Sequence, residues 1–160
     1  LGCLQAIDAL AKSERVKSVL DIGTGTGILA IAAARVWAAH IVASDIDPVA
    51  VVIAEQNIRL NRAANSIRTI TTAGLGHQTI RTASPFDLVI ANILARPLKH
   101  MANDIARATR PGGSIILSGI MCDQADGVLA TYRAAGFSRL RRFANSEWVT
   151  LVLRRTRLGA

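Results

Sequence analysis

Three glycines at alternate positions follow an apolar run near the start of the chain, in the segment Gly23-Thr24-Gly25-Thr26-Gly27, directly after Asp21-Ile22. Because glycine has no Cβ and reaches positive φ freely, such a turn can lie flat against a bound molecule. The helix expected from Gly27 would direct its free N–H groups toward the same place. The segment therefore predicts a nucleotide-type pocket, with a tight structural connection as the alternative.

The glycine spacing and the preceding carboxylate indicate which molecule the turn would hold. The order is G-x-G-x-G, whereas the dinucleotide fingerprint is G-x-G-x-x-G with a pyrophosphate at the helix N-terminus. Asp21 would repel a pyrophosphate but attract the ammonium and sulfonium groups of S-adenosylmethionine. We therefore expect Asp21 and the turn from Gly23 to Gly27 to bind S-adenosylmethionine, and an NAD dehydrogenase stays a remote alternative.

A carboxylate follows the next apolar run, in Ser44-Asp45-Ile46-Asp47. Ligands of open α/β sheets bind beyond the carboxyl ends of the strands, and a carboxylate there can accept hydrogen bonds from both ribose hydroxyls. We assign this role to Asp45 and expect Ile46 to lie over the adenine. Asp47-Pro48 is already explained as a helix cap followed by a first-turn proline. A plain surface acid is the alternative for Asp45.

An asparagine ends another apolar run, in Ala91-Asn92-Ile93-Leu94-Ala95. A buried amide needs partners, so Asn92 is either a turn-former that bonds its own backbone or a ligand-binding group. The following run ends in the small-residue turn Leu117-Ser118-Gly119-Ile120. We predict that the carboxyl ends of these four apolar runs outline one site, in which Asn92 also contacts the cofactor.

Apolar periodicity predicts the elements that must position these tips. The spacing of apolar residues alternates along the chain between that of a strand and that of a helix, which is typical of a parallel α/β sheet. The predicted strands are 17–22, 40–44, 67–72, 86–91, 114–117, 138–143 and 148–154, and the predicted helices are 1–11, 27–36, 48–61, 97–108 and 123–135. Residues 73–85 are expected to form a loop with at most one weak helical turn, and Pro111-Gly112-Gly113 is expected to stop a helix. The prediction is a seven-stranded, mostly parallel sheet that ends in an antiparallel hairpin, with helices on both faces.

Length and composition fit one soluble domain. The chain has 160 residues, of which 51% are hydrophobic, so it is long enough to bury a core. Its apolar runs are shorter than the ~18 residues of a membrane span, and it lacks a secretory signal; no membrane contact and a cytoplasmic location are expected. Cys3 and Cys122 have no ligand-spaced partner and are predicted to be buried free thiols, and no metal is expected.

The net charge of +8 leaves RNA open as a partner. Aromatic residues that could stack on bases do not interleave the basic clusters. A solvated basic face is therefore the simpler interpretation. The clusters are Arg139, Arg141 and Arg142, and Arg154, Arg155 and Arg157.

Several of these segments together resemble the ribosomal protein L11 methyltransferases, which are class I S-adenosylmethionine enzymes. The glycine turn and the acid of the second strand are common to class I methyltransferases, whereas the other segments are more specific. The resemblance covers nearly the whole chain and implies a Rossmann-like class I methyltransferase fold. Its segments are the glycine turn, Ser44-Asp45-Ile46-Asp47-Pro48, the run from Phe86 to Ala95, Pro111-Gly112-Gly113, Leu117-Ser118-Gly119-Ile120 and Glu147-Trp148-Val149-Thr150-Leu151.

The resemblance also implies a substrate. Members methylate amino groups of a large-subunit ribosomal protein, on lysine or at the N-terminus, and a separate N-terminal domain holds that protein. We expect residues 1–160 to be a single cofactor-binding domain without that substrate domain. Asn92 Oδ1 and the Ile93 carbonyl are assigned to orient the attacking amine. An RNA methyltransferase and a cofactor-binding fragment without turnover are the alternatives.

Overall fold

The computed structural model describes residues 1–156, which form one mixed sheet with helices on both faces. The strands are β1 (Ser18–Ile22), β2 (His40–Asp45), β3 (Ile67–Thr71), β4 (Phe86–Asn92), β5 (Thr109–Met121), β6 (Phe137–Asn145) and β7 (Trp148–Arg155). The helices are α1 (Gly2–Ala11), α2 (Ile28–Val36), α3 (Pro48–Leu60), α4 (Gln78–Ala83), α5 (Ala95–His100), α6 (Ala102–Ala108) and α7 (Ala125–Ala134).

The strand order is β3-β2-β1-β4-β5-β7-β6. Strands β1 to β5 pair in parallel, and β7 pairs antiparallel with both β5 and β6. This confirms the predicted seven-stranded sheet and its terminal hairpin. The order reverses between β1 and β4, where a crevice opens beyond the carboxyl ends of the strands.

The register brings the predicted tips together at this crevice. Ile22, the last residue of β1, is paired with Ser44 on one side and with Ala91 on the other. Asp45 and Asn92 are the next residues along β2 and β4. The two polar tips therefore flank the glycine turn that leaves β1.

Two apolar layers cover the sheet. One contains buried side chains of α1, α2 and α3, and the other contains those of α4 to α7. Side chains alternate between the faces of a strand, so Leu20 and Ile22 face the second layer and Val19 faces the first. Asp21 shares the side of Val19, which places its carboxylate in an otherwise apolar layer.

The segment 73–85 holds more helix than the single weak turn that was predicted within a loop. Helix α4 lies within it, capped at its N-terminus by His77, whose Nδ1 accepts a hydrogen bond from the Thr79 N–H at 3.1 Å. Ile80 anchors the helix, since only 1% of its surface is exposed. A local cap and one buried side chain are enough to form a helix that the nearby glycines obscured.

The helix predicted at 97–108 is two helices, and the following strand is longer than expected. Met101 interrupts the helix with φ −88° and ψ 3°. Pro111-Gly112-Gly113 does not separate a helix from a strand but lies inside β5. Gly112 has φ +75°, and the pairing of β4 with β5 shifts register between Phe86 and Leu88, which is how a bulge accommodates extra residues.

Within residues 1–156, the structure contains no helix with the length and apolar character of a membrane span, and no group of three metal-ligating side chains. Both cysteines are free thiols. Cys3 is buried, as predicted, but Cys122 is exposed. The prediction of two buried thiols is therefore wrong for Cys122, which follows the last residue of β5.

Candidate active site

Hydrogen bonds tie the glycine turn to the tip of β2. The Thr24 N–H donates to the Ser44 carbonyl at 2.9 Å, and the Gly25 N–H donates to Asp45 Oδ2 at 2.8 Å. The turn and the second-strand carboxylate are thus one rigid unit. Its position at the carboxyl end of the sheet is the one predicted from the sequence.

The three glycines of the turn all have positive φ, at +68°, +56° and +82° for Gly23, Gly25 and Gly27. A Cβ added at Gly27 would lie 3.3 Å from the Cβ of Ala54, so this glycine allows α2 to pack closely against α3. A Cβ at Gly25 would meet nothing within 4 Å. The turn therefore has one glycine that serves packing and another whose bare backbone faces open space.

Asp21 lies completely buried below the turn. Its Oδ2 accepts a hydrogen bond from the Thr24 hydroxyl at 2.6 Å, whereas its Oδ1 has no partner among the described residues. Burial raises the pKa of Asp21 to about 6; the hydrogen bond from Thr24 and the nearby backbone of Ala30 oppose the rise, and the Asp45 charge adds to it. Because a buried, unpaired carboxylate oxygen is costly, the geometry fits a ligand that brings positive charge.

Backbone groups hold both carboxylate oxygens of Asp45. Gly25 donates to Oδ2, and the Asp47 N–H donates to Oδ1 at 3.0 Å. Asp45 is partly exposed, yet its orientation is fixed, unlike that of a freely solvated surface acid. Asp47 accepts from the Val49 N–H at 2.8 Å and caps α3, which confirms the interpretation of Asp47-Pro48.

A cavity of about 410 Å³ opens beside the turn, within the ~300–1,000 Å³ range of small-molecule sites. We call it the turn-side cavity. Ile46 is 72% exposed and presents a bare apolar surface at its edge. The lining comprises Ile22, Gly23, Ser44, Asp45, Ile46, Thr72, Ala73, Gly74, Ile93, Leu94, Pro97 and Met101.

A second cavity of about 470 Å³ lies on the other side of the β4 tip and reaches the terminal hairpin. We call it the hairpin-side cavity. The two cavities share Ile93 and Leu94 and are otherwise lined by different residues. The hairpin-side lining comprises Leu1, Gly2, Gln5, Asn92, Ile93, Leu94, Ser118, Gly119, Phe143, Asn145, Trp148 and Thr150.

Asn92 is exposed, so the expectation of a buried amide is wrong. It is the last residue of β4 and projects beyond the covered part of the sheet. Within residues 1–156 no protein group forms a hydrogen bond with its side chain, which leaves the turn-former interpretation without support. Asn92 lines the hairpin-side cavity and not the turn-side cavity.

Ile93 is wedged between two glycines. A Cβ on Gly23 would lie 2.5 Å from Ile93 Cγ2, and a Cβ on Gly119 would lie 2.5 Å from the Ile93 carbonyl oxygen. Gly119 also has φ +76°. Sequence reasoning noted the small-residue turn around Gly119 but missed this contact, through which the tip of β5 sets the position of the Ile93 backbone.

Below the hairpin-side cavity is a small buried polar floor. The hydroxyls of Ser118 and Thr150 are hydrogen-bonded at 2.8 Å. A Cβ on Gly2 would lie 2.2 Å from Thr150 Oγ1, so the start of α1 packs directly on β7. Burial raises the pKa of the neighbouring Cys3 thiol, which keeps it protonated and unreactive at neutral pH.

Neither cavity is basic. Among the described residues that line them, Asp45 is the only one with a charged side chain, and the hairpin-side lining has no titratable side chain at all. Exposed apolar side chains, including Leu94, Trp148 and Ile46, surround the openings. The site therefore suits an apolar or cationic ligand better than a polyanion.

Comparison with known proteins identifies relatives of this chain. The family model for ribosomal protein L11 methyltransferase (PrmA) matches residues 1–156. Curated ribosomal protein L11 methyltransferases include one from Bradyrhizobium diazoefficiens, 47% identical over 154 residues, and one from Chelativorans sp., 46% identical over 154 residues; each match covers 96% of this chain.

Solved structures are also similar to this chain. A ribosomal protein L11 methylase from Lactobacillus delbrueckii subsp. bulgaricus has a TM-score of 0.86 at 28% identity, with 96% of this chain and 77% of that chain covered. An RNA methyltransferase from Salinibacter ruber in complex with S-adenosyl-L-homocysteine has a TM-score of 0.74 at 16% identity over 98% of this chain and 92% of that chain, a similarity of fold alone.

The matches cover 52% and 53% of the two curated relatives, so the chain spans about half of their length. Within that half, the match to the family model runs from β1 to β7 without leaving out any element of the site. The chain belongs to the ribosomal protein L11 methyltransferase family.

Proposed function

We propose that this chain is the S-adenosylmethionine-binding, catalytic domain of an enzyme that methylates amino groups of ribosomal protein L11. The observation that carries the proposal is the pair of cavities that meet at Ile93 and Leu94. Methyl transfer needs a donor and an acceptor on opposite sides of a short gap, held in line. The two cavities adjoin at these shared residues, and membership of the family supports their use as donor and acceptor sites.

The turn-side cavity is the proposed donor site. When bound, the cofactor supplies a methyl group on a sulfonium, which is an already activated leaving group. Asp21 provides negative charge below the turn, and the bare backbone from Gly23 to Gly27 allows close approach. Asp45 accepts hydrogen bonds from the ribose hydroxyls, and Ile46 packs on the adenine. The backbone of Ala73-Gly74 is available for the adenine edge.

The hairpin-side cavity is the proposed acceptor site. A lysine with a reference pKa near 10.4 is neutral about once in 2,500 at pH 7, a cost of ~4.6 kcal/mol if deprotonation comes first. Because no titratable side chain lines this cavity, the proton leaves to solvent, and the apolar walls favour the neutral amine. Asn92 Oδ1 and the Ile93 carbonyl then accept hydrogen bonds from the amine and orient its lone pair.

A protein acceptor is favoured over RNA by the location of the basic residues. Arg139, Arg141 and Arg142 are exposed on the edge strand β6, Arg154 is paired with Glu14, and Arg155 donates to the Thr109 carbonyl; Arg157 lies outside the described residues. No arginine or lysine lines either cavity within residues 1–156. Phosphate recognition depends on such residues, whereas the apolar stem of a lysine side chain packs well against Phe143 and Trp148.

A transfer assay separates the candidate functions. The chain is incubated with methyl-labelled S-adenosylmethionine and, separately, with purified ribosomal protein L11 and with ribosomal RNA. We expect label in the protein. Label in RNA alone would establish the RNA methyltransferase instead, and calorimetric binding of S-adenosylhomocysteine without transfer to either acceptor would identify a cofactor-binding fragment without turnover.

The Asn92→Ala variant tests the proposed acceptor role. We expect transfer to ribosomal protein L11 to fall about 10- to 100-fold, equivalent to ~1.4–2.7 kcal/mol, because the amine loses an oriented acceptor. Asn145→Ala is the matched control, since Asn145 lines the same cavity at the end of the hairpin. Full turnover in Asn92→Ala would contradict the acceptor role of Asn92. A weaker affinity of Asn92→Ala for S-adenosylhomocysteine would support the predicted contact between Asn92 and the cofactor.

A further inference from the structure

A cavity larger than either cavity of the proposed active site lies at the opposite end of the sheet from them. It has a volume of about 900 Å³. Ser18, His40, Ile67 and Phe86, the first residues of β1, β2, β3 and β4, all line it. We call it the amino-end groove. Helix α4 forms one wall, and because this helix has only 6 residues, it leaves the outer part of β2 and β3 uncovered.

The groove has one arginine and two histidines, and its other polar side chains are hydroxyls and amides that both donate and accept hydrogen bonds. Arg68 projects from the edge strand β3, is exposed, and has no ion-pair partner within residues 1–156. His40 and His77 line the groove from β2 and from the start of α4. The remaining polar lining residues are Ser18, Asn65, Ser66, Gln78, Thr79 and Thr82.

The hydrogen bond that caps α4 assigns the proton on the His77 ring. Nδ1 accepts from the Thr79 N–H at 3.1 Å, so the neutral ring carries its proton on Nε2. The nitrogen that remains available to a ligand is therefore a donor. His77 and Arg68 together supply donors from the two walls of the groove.

No aspartate or glutamate is among the described residues that line the groove. Its floor includes the apolar side chains of Val42, Ile67 and Phe86. A rim with an arginine and two histidines but without carboxylates selects an anion, and an apolar floor selects a flat, weakly polar group beside it. A phosphate joined to a nucleobase has both features.

We infer that the amino-end groove is a second binding site, which takes a phosphate-bearing nucleotide with the phosphate at Arg68 and His77 and the base over the apolar floor. A free mononucleotide and a nucleotide within single-stranded RNA have the same chemistry. The groove is remote from the methyl-transfer site, so this binding is independent of the proposed function.

Fluorescence anisotropy with a labelled oligouridine of about 12 nucleotides tests the inference, since this length lies within the ~4–16 nucleotide range of single-strand sites. The titration is repeated between about 50 and 200 mM salt. We expect Arg68→Ala to weaken binding about tenfold at low salt and to reduce the slope of log K against log salt by ~0.7, the value for one lost phosphate contact on a single strand. A structural defect alone would leave that slope unchanged.

Two further variants provide matched comparisons. His77→Asn keeps a good N-cap for α4 and replaces the Nε2 donor with an amide NH₂ that lies closer to the backbone, and we expect it to weaken binding severalfold. Arg141→Ala removes another exposed arginine, from β6, and we expect no change. Affinity for S-adenosylhomocysteine is expected to stay at the wild-type value in all three variants.

Competition with uridine monophosphate distinguishes the two sources of the nucleotide. Displacement of the oligonucleotide by uridine monophosphate indicates a site for a single nucleotide. Displacement by longer RNA alone indicates a site for single-stranded RNA. Either result supports the inference if Arg68→Ala removes the displacement. The inference is overturned if neither probe binds the wild-type protein, if Arg68→Ala binds as tightly as wild type, or if polyglutamate competes as well as RNA does.

Discussion

The two ends of the sheet differ in how many hydrogen bonds the protein provides to its carboxylates. At the amino end, Asp87 Oδ2 accepts hydrogen bonds from the N–H groups of Lys17 at 2.7 Å and Ser18 at 3.1 Å, and Oδ1 accepts from Arg110. Burial alone would raise the pKa of Asp87, but these bonds outweigh it and lower the pKa below its ordinary value. The carboxylate of Glu14 nearby is likewise bonded to Ser114 and Arg154.

At the carboxyl end, Asp21 is completely buried and keeps one oxygen without a partner. Costs of this kind persist where a site needs them. The protein therefore satisfies the carboxylates of Asp87 and Glu14 by itself, whereas it leaves an oxygen of Asp21 for a ligand to satisfy.

The largest effect is expected in the pH dependence of stability. The folded pKa of Asp21 is raised to about 6, above the unfolded value of ~3.9, so the folded state binds more protons between these values. Stability therefore falls as pH rises from about 4 to about 6, by ~3 kcal/mol for this group. In Asp21→Asn, whose amide resembles the protonated acid, that loss is absent.

Denaturant unfolding of wild type and Asp21→Asn at pH 4 and pH 8 measures this difference directly. The variant gains stability relative to wild type as the pH rises. Parallel pH profiles of the two proteins would mean that folding does not raise the pKa of Asp21, and the contrast between the two ends of the sheet would disappear.

The next largest effect is expected for Gly119→Ala. The new Cβ would collide with the Ile93 carbonyl oxygen, 2.5 Å away, in a conformation with φ +76°. Displacing that carbonyl by about 1 Å is expected to lower methyl transfer roughly 100-fold, or ~2.7 kcal/mol. Gly127→Ala is the control, because a Cβ there meets nothing within 4 Å; unchanged transfer in both variants would contradict the wedge around Ile93.

A smaller effect, on stability alone, is expected for Asp87→Ala. Loss of the carboxylate leaves the N–H groups of Lys17 and Ser18 without their partner and lowers the free energy of unfolding by ~2 kcal/mol at pH 7. Because the folded pKa is lowered, the charge-dependent part of this contribution is fully present above the unfolded value of ~3.9 and is lost as pH falls through the folded pKa, so the difference between the two proteins narrows in acid.

Asp104→Ala is the matched control for that variant. Its exposed pair with Arg107 is worth at most ~1 kcal/mol. Calorimetry with S-adenosylhomocysteine should give wild-type affinity for both variants. A loss of cofactor affinity in Asp87→Ala would show that the amino end also supports the site and would weaken the comparison.

Local sequence signals were sufficient for much of the fold. Asp47-Pro48 encodes a cap and a first turn within adjacent residues, and the glycine turn encodes its own positive φ values, so both are confirmed. The length of β5 could not be predicted in this way. Pro111-Gly112-Gly113 follows the end of a helix, but the pairing of Thr109 and Ser114 with β4 on either side of it incorporates the segment into a strand as a bulge.

The site was predictable where it depends on strand tips and unpredictable where it depends on neighbours. Asp45 and Asn92 could be located because each follows an apolar run. The exposure of Asn92 and the contact between Gly119 and Ile93 depend on how far β4 and β5 extend beside each other, which no short segment records. The division into two cavities has the same origin.

Calorimetric titration with S-adenosylhomocysteine tests the central claim, that the turn-side cavity holds the adenosyl cofactor through Asp45, most directly. We expect wild type to bind, Asp45→Ala to bind more weakly by ~1.5–3 kcal/mol because a charged hydrogen-bond acceptor is lost, and Asp47→Ala to bind as wild type does. Equal affinities of wild type and Asp45→Ala, or no binding by wild type, would contradict the account.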